Sequence, residues 1–171
     1  MIYFTSDLHL GHNNILKFTG RPYDSMEEMN RELIRNINFR VTKNDWLYIL
    51  GDVSHHILPE QTNQLLARIN GRKVLVRGNH DKEYDPALFE EICDYKKLFA
   101  YGKTFILSHY PFLSWDRMAA GSLMLHGHIH STGEYNEENR ADGLLRYDVG
   151  VDANGLRPVS AYEVLEFFGL R

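Results

Sequence analysis

The sequence predicts an α/β fold with helices on the outside and two β-sheets within, and three observations carry that prediction. Up to Val76, short apolar runs alternate with segments of helical periodicity, the order of a parallel sheet with crossover helices. From Tyr95 onward β-rich runs dominate, which asks for a second sheet. No repeat, low-complexity tract or linker-like stretch interrupts residues 1–171, so they read as a single domain.

The elements follow in order. Residues 2–6 form a short apolar run that suits a buried first strand. Asp24 or Ser25 then opens a helix, with Glu27 or Glu28 as capping-box partner and Met26, Met29, Leu33, Ile34 and Ile37 as its apolar stripe. Residues 46–50 are continuously apolar, as a strand covered on both faces requires. Pro59 suits a first helical position, Leu65, Leu66 and Ile69 supply the inner face, and Gly71 stops that helix. Residues 74–76 make a third strand. Asp85-Pro86 starts a short third helix, on which Cys93 would be a small buried hydrophobe. Residues 95–101, 104–107, 122–125 and 145–149 favour strands, with Gly102 turning between the first two. Residues 131–143 are polar and turn-rich and read as an exposed loop or hairpin. Ser160 and Glu163 spell another capping box before a closing helix or strand through Phe168.

Composition narrows the function classes. A hydrophobic fraction of 43% and an aromatic fraction of 12% feed a core and exclude disorder. The lone Cys93 excludes an internal disulfide and a Cys-type structural zinc site. A formal charge of -4 argues against a generally basic nucleic-acid footprint. No apolar run reaches the roughly 18 residues of a membrane span, and the N-terminus shows no basic leader, so the expected compartment is the cytoplasm. Against this ordinary background, nine histidines stand out.

Those histidines concentrate where strands end. The first strand runs into Asp7-Leu8-His9, the second into Gly51-Asp52, and the third into Gly78-Asn79-His80-Asp81. The run from Thr104 leads into Ser108-His109, and that from Ser122 into His126-Gly127-His128-Ile129-His130. Ligands of open α/β sheets collect beyond the carboxyl ends of strands. Imidazole and carboxylate together suit divalent transition ions. Asp7 and His9 are two apart, as are His128 and His130, and in an extended segment that spacing sends both side chains to one face and one centre. Glycines 51, 78 and 127 stand beside these residues, where backbone must turn or approach closely. So many ligands exceed the needs of a single catalytic zinc and point to two metals sharing a carboxylate.

In this combination the chain resembles the calcineurin-like metallophosphoesterases, of the small bacterial or phage type. Asp7-x-His9, Gly51-Asp52, Gly78-Asn79-His80-Asp81, His109 and Gly127-His128-x-His130 match that family's blocks in order. The resemblance implies a four-layer α/β/β/α sandwich of two mixed β-sheets, with the metal site at the C-terminal ends of the strands. It implies that Asp7, His9, Asp52 and His130 hold one metal, and that Asp52 bridges to a second completed by Asn79, His109 and His128. His80 is then no ligand; it protonates the leaving oxygen or holds the phosphoryl group.

The expected cofactors are two divalent transition-metal ions, from among Mn, Fe, Zn and Ni, with Mn favoured in vitro. Such a pair lowers the pKa of a bridging water from about 15.7 towards ~7, and the hydroxide attacks phosphorus in line. His80 serves as general acid, with Asp81 fixing its tautomer if the two side chains meet. His12 continues the first loop and is a candidate substrate contact, together with Asn79 and His80. Arg21 and Arg117 are phosphate-binding or merely solubilising. Phe112 and Trp115 either cover a base or pack in the core. His55, His56 and His126 have no assigned task.

The expected function is a phosphodiesterase acting on a small or nucleotide-type substrate, with a nucleotide or short oligonucleotide as possible ligand. No membrane partner is expected, and the chain would be a monomer or homodimer. A phosphomonoesterase or phosphoprotein phosphatase is the alternative activity. A catalytically silent, metal-stabilised binding module is the alternative to an enzyme, though it has no metal-binding reason to keep His80.

Overall fold

The computed structural model describes residues 1–171. Its first sheet contains β1 (Ile2–Thr5), β2 (Trp46–Ile49), β3 (Arg72–Val76), β4 (Glu91–Cys93) and β9 (Val159–Ser160), in the order β4-β3-β2-β1-β9. β1 to β4 are parallel, and β9 runs antiparallel to β1. The second sheet contains β5 (Lys96–Ala100), β6 (Lys103–Leu107), β7 (Leu123–His126) and β8 (Arg146–Asp148), in chain order. β5 and β6 form an antiparallel hairpin, while β6, β7 and β8 are parallel. Both sheets are therefore mixed, as expected of the sandwich. No helix is long and apolar enough to cross a membrane.

Alternation along the first sheet divides its side chains between two cores. Leu47, Ile49 and Leu75 face outward to Met29, Leu33 and Ile37 of α2 (Met26–Arg40) and to Leu66 of α3 (Pro59–Leu66). Phe4, Tyr48, Leu50, Val74 and Val76 face inward and meet Phe105, Leu107, Leu123 and Leu125 of the second sheet. Full burial of side chains of this size contributes roughly 1.5–3 kcal/mol each, so β1, β2 and β3 are apolar on both faces for energetic reasons. The far side of the second sheet is covered more thinly. Ile106 and Met124 pack there under Trp115, whose Nε1 donates to Ser122 O at 3.1 Å. Trp115 is thus a core residue.

Several sequence expectations need correction. Residues 133–141 are helical, forming α4 (Gly133–Ala141), rather than a loop or hairpin. The helix has no apolar stripe to reveal it, because its buried residues are Asn136 and Asn139. Asn136 exchanges two hydrogen bonds with the backbone of Asp148, and Asn139 Oδ1 accepts from Arg146 Nε. α4 therefore docks on β8 through amides. Cys93 lies on β4, not on a helix, and Asp85-Pro86 yields only one 3₁₀ turn, Pro86–Leu88. α3 ends at Leu66, and Gly71, at φ 102°, turns the chain into β3 instead of ending the helix. α1 (Ile15–Thr19) is too short for periodicity to mark it. The Ser160 capping box forms in full, whereas at Ser25 only half does, the Glu28 carboxylate accepting from Asp24 N instead. Ser25 accepts from Glu28 N, and Ser160 pairs with Glu163 at the start of α5 (Ala161–Phe167).

Candidate metal centre

The loops leaving β1 and β2 stay paired beyond the strands. Asp7 N donates to Gly51 O at 3.1 Å, His9 N to Asp52 O at 3.0 Å, and Leu10 N to Val53 O at 3.0 Å. A bridge between Ser6 and Gly150 ties the end of β1 to the chain leaving β8. Strand ends of both sheets consequently converge on one place. There the backbone is forced into conformations that side chains disfavour. Asp7, His9, Asp52, His128 and His130 all have positive φ, between 46° and 73°. Each such residue costs about 1–3 kcal/mol, and surrounding contacts must impose it. The backbone is thus not extended at either Xaa-x-His spacing, although Asp7 and His9 still share one ligand group. His130 gathers with Asp7 and His9, whereas His128 Nδ1 lies beside His109 Nε2.

Two groups of ligand atoms result, with Asp52 between them. Asp7, His9 and His130 bring ligand atoms within 4.8 Å of one another, and so do Asp7, Asp52 and His109. Asp52 Oδ2 lies 3.4 Å from His9 Nε2 and 3.5 Å from His109 Nε2. His109 Nε2 in turn lies 3.0 Å from Asn79 Oδ1 and 3.2 Å from His128 Nδ1. Asp7, His9, Asp52 and His109 are buried, Asn79 is exposed, and His80, His128 and His130 are half-buried. The centre is therefore dry on one side and open on the other.

Neighbouring groups set the direction of each ligand. His109 Nδ1–H donates to Leu50 O at 2.8 Å, which leaves the Nε2 lone pair of the neutral ring facing the centre. His130 Nδ1–H donates to Asp152 Oδ2 at 2.8 Å, and Arg21 holds Asp152 bidentately at 2.8 and 2.9 Å. Burial alone would depress the His130 pKa; the Asp152 hydrogen bond and the Asp7 charge raise it instead. Burial likewise works to raise Asp152, but the His130 and Arg21 hydrogen bonds hold it down at about 2. The glycines reflect close approach. A Cβ on Gly127 would lie 2.0 Å from Ser6 Oγ, and one on Gly78 would lie 2.3 Å from Asp52 Oδ1.

Two expected roles change. Arg21 is buried and cannot reach a phosphate, because its guanidinium is spent on Asp152 and on the carbonyls of Asp7 and Leu8. It positions the first metal loop. Asp81 does not meet the His80 imidazole. Its oxygens accept from the backbone N–H groups of Asp52, Gly78 and Val53 and from the Tyr84 hydroxyl. It clasps the second and third loops together, and so positions Asp52 rather than acting on substrate. Asp148 and Asp152 were missed, although the residue 145–149 strand runs into Gly150-Val151-Asp152 just as the other strands run into their ligands. Tyr110, exposed with its ring 4.7 Å from that of His128, was missed as well. Arg117 and His126 lie outside the ligand groups: His126 is buried between Gly127 O and the Tyr135 hydroxyl.

The unmet needs of this arrangement are those of a cation site. His9 has both ring nitrogens buried without a hydrogen-bond partner, and burial drives its pKa down to about 2, so it stays neutral. Burial pushes the Asp7 carboxyl up to about 8 against the backbone hydrogen bond from His128. Asp52 Oδ2, Asn79 Oδ1 and His109 Nε2 turn acceptor toward acceptor with no hydrogen to share. Divalent metal ions satisfy such a donor set of imidazole, carboxylate and amide oxygen.

Comparison with known proteins gives a consistent picture. The family model for calcineurin-like phosphoesterase matches residues 1–158. The chain is 37% identical over 162 residues to the uncharacterized protein MJ1445 of Methanocaldococcus jannaschii, covering 93% of this chain and 86% of that one. It is 28% identical to the Gene 66 protein of Mycobacterium phage L5, over 96% of this chain and 92% of that one. Among solved structures, the protein of unknown function AQ665 from Aquifex aeolicus superposes with a TM-score of 0.75 at 28% identity, covering 97% of this chain and 98% of that one.

Proposed function

This chain belongs to the calcineurin-like phosphoesterase family, a metal-dependent phosphoesterase by that membership, and from this premise we propose that it hydrolyses small or nucleotide-type phosphodiesters at a two-metal centre. Asp7, His9, Asp52 and His130 would hold one ion; Asp52, Asn79, His109 and His128 would hold the other. When bound, the pair supplies Lewis acidity toward a phosphoryl group and a low-pKa water, with manganese as the ion to try first.

The observation that supports this reading best is the position of Asp52 Oδ2, about equally far from His9 Nε2 and His109 Nε2 at 3.4 and 3.5 Å. One carboxylate oxygen thereby faces both ligand groups. The other oxygen accepts from His80 N at 3.0 Å, which seats His80 at the rim. His80 lines the open side of the centre with His9 and His130. From there its imidazole delivers a proton to the departing oxygen, a role typically worth ~10²–10⁴-fold in rate. Asp81 and Arg21 act earlier in the chain of cause, by holding the loops that carry Asp52 and Asp7.

A paired assay tests the proposal. Manganese-loaded protein is compared on bis-p-nitrophenyl phosphate and p-nitrophenyl phosphate, with Asp52→Asn as control. Faster turnover of the diester is expected, with Asp52→Asn lowering it by more than ~10³-fold, the scale of losing charge stabilisation in a dry site. Faster monoester turnover overturns the diesterase assignment, and an Asp52→Asn variant as active as the parent overturns the two-metal centre.

A further inference from the structure

We propose that His12, His55 and His56 form a third metal site, distinct from the two ligand groups around Asp52, and that it takes a zinc-type divalent ion held by imidazole alone. One ligand nitrogen from each residue lies within 4.8 Å of the others. The ring centroids are 4.6 Å apart for His12 and His55, 5.1 Å for His12 and His56, and 3.8 Å for His55 and His56.

The trio is held in place by backbone. Leu10 bridges to Ser54, and His55 N donates to Leu10 O at 3.0 Å, so the loops after β1 and β2 are paired up to the site. Ser54 is pinned in turn by Thr62 and Tyr84, whose hydroxyls lie 2.7 and 3.2 Å from its own. His56 sits at a positive φ of 63°, the same costly conformation found at Asp7, His9 and Asp52.

An independent observation points to a ligand. His12 is only 8% exposed, and its Nδ1 is buried without any hydrogen-bond partner. Mere ring packing would leave that nitrogen's desolvation uncompensated. A metal ion compensates it. Zinc–imidazole bonds of about 2.0–2.1 Å place tetrahedral ligand nitrogens about 3.4 Å apart. The ligand nitrogens now lie within 4.8 Å of one another, with His55 half-buried and His56 exposed. Without a carboxylate in the set, zinc, nickel and copper are favoured over manganese or magnesium. The remaining coordination position faces a cleft of about 570 Å³ that His9, His80 and His130 also line. An anionic oxygen of a ligand in that cleft could occupy it.

Zinc uptake by the full-length chain tests this without reference to activity. Metal-free protein is dialysed against micromolar zinc and the bound metal counted, for the parent, for His55→Ala/His56→Ala and for Asp7→Asn/Asp52→Asn. The histidine variant is expected to hold one zinc fewer than the parent, and the aspartate variant to retain the zinc that the histidine variant lacks. Equal uptake by parent and histidine variant overturns the third site, whatever the aspartate variant does. An aspartate variant that holds as much zinc as the parent counts against the two-metal centre and leaves the third site standing. If circular dichroism shows the double histidine variant misfolded, His56→Ala at its exposed position decides. Weakening of one zinc by more than ~10-fold supports the site, and unchanged affinities overturn it.

Discussion

The residues around Asp52 and the histidines at the mouth of the cleft all follow strand ends, yet they are held in different ways. Asp7, His9, Asp52 and His109 are buried, and all but His109 sit in left-handed backbone. His55, His56 and His80 stand at the rim, half-buried or exposed, with ring against ring at 3.8 and 4.1 Å. The buried group has charge and direction built in, which suits a permanent ion. The rim group lines the cleft, which suits proton delivery and an exchangeable ligand.

The sharpest way to break that division is His80→Ala. Turnover should fall by ~10²–10⁴-fold while bound metal stays constant. The loss should be larger for an alkyl ester than for a p-nitrophenyl ester, whose leaving oxygen needs little protonation. A fall in metal content would instead place His80 with the buried group. Next comes Asp152→Asn, which weakens the support behind His130. By analogy with other residues that orient metal-binding histidines, one ion should bind ~10–100-fold more weakly, measured by competition with a chromogenic chelator. Unaltered affinity would mean that His130 orients itself.

The smallest effect is a pH dependence of the metal-free chain. Asp7 rises from 3.8 to about 8 on folding, so between these values the folded state binds a proton that the unfolded state has lost. Its contribution to stability therefore falls as pH rises through that window. His9 drops from 6.5 to about 2, so its contribution has the opposite slope but levels off above pH 6.5. His130, raised on folding, loses stability upward as well. From pH 6.5 to 8 the melting temperature should decline by a few degrees. Asp7→Asn should reduce the slope, and saturating manganese should abolish it by replacing the proton. A flat profile without metal would mean that Asp7 is less confined than the buried group requires.

Much of the site was legible because ligand chemistry is local. Asp7, His9, Asp52, Asn79, His109, His128 and His130 each follow a strand, and strand ends can be read from apolar runs. The supporting residues were not legible on that basis. Nothing in Arg21-Pro22-Tyr23 says that the guanidinium folds inward onto Asp152, a partner 131 positions away. Asp81 looks like a partner for His80 because it is adjacent in sequence, but its oxygens face the backbone of residues 52 and 53. α4 escaped for a related reason: it docks through Asn136 and Asn139, and the apolar period that marks helices is absent.

By itself, then, the sequence determined the alternation of strands and helices, the buried faces of the first sheet and the set of atoms available to bind metal. Only the tertiary structure decided the left-handed backbone that aims those atoms and the residues that hold it, Asp81 and Arg21 behind the loops and Asp152 behind His130. The physical reason is the cost of left-handed backbone, about 1–3 kcal/mol at each residue with a side chain. No local preference selects that conformation. Hydrogen bonds between loops distant in sequence impose it, and they exist only once both sheets have closed around the site.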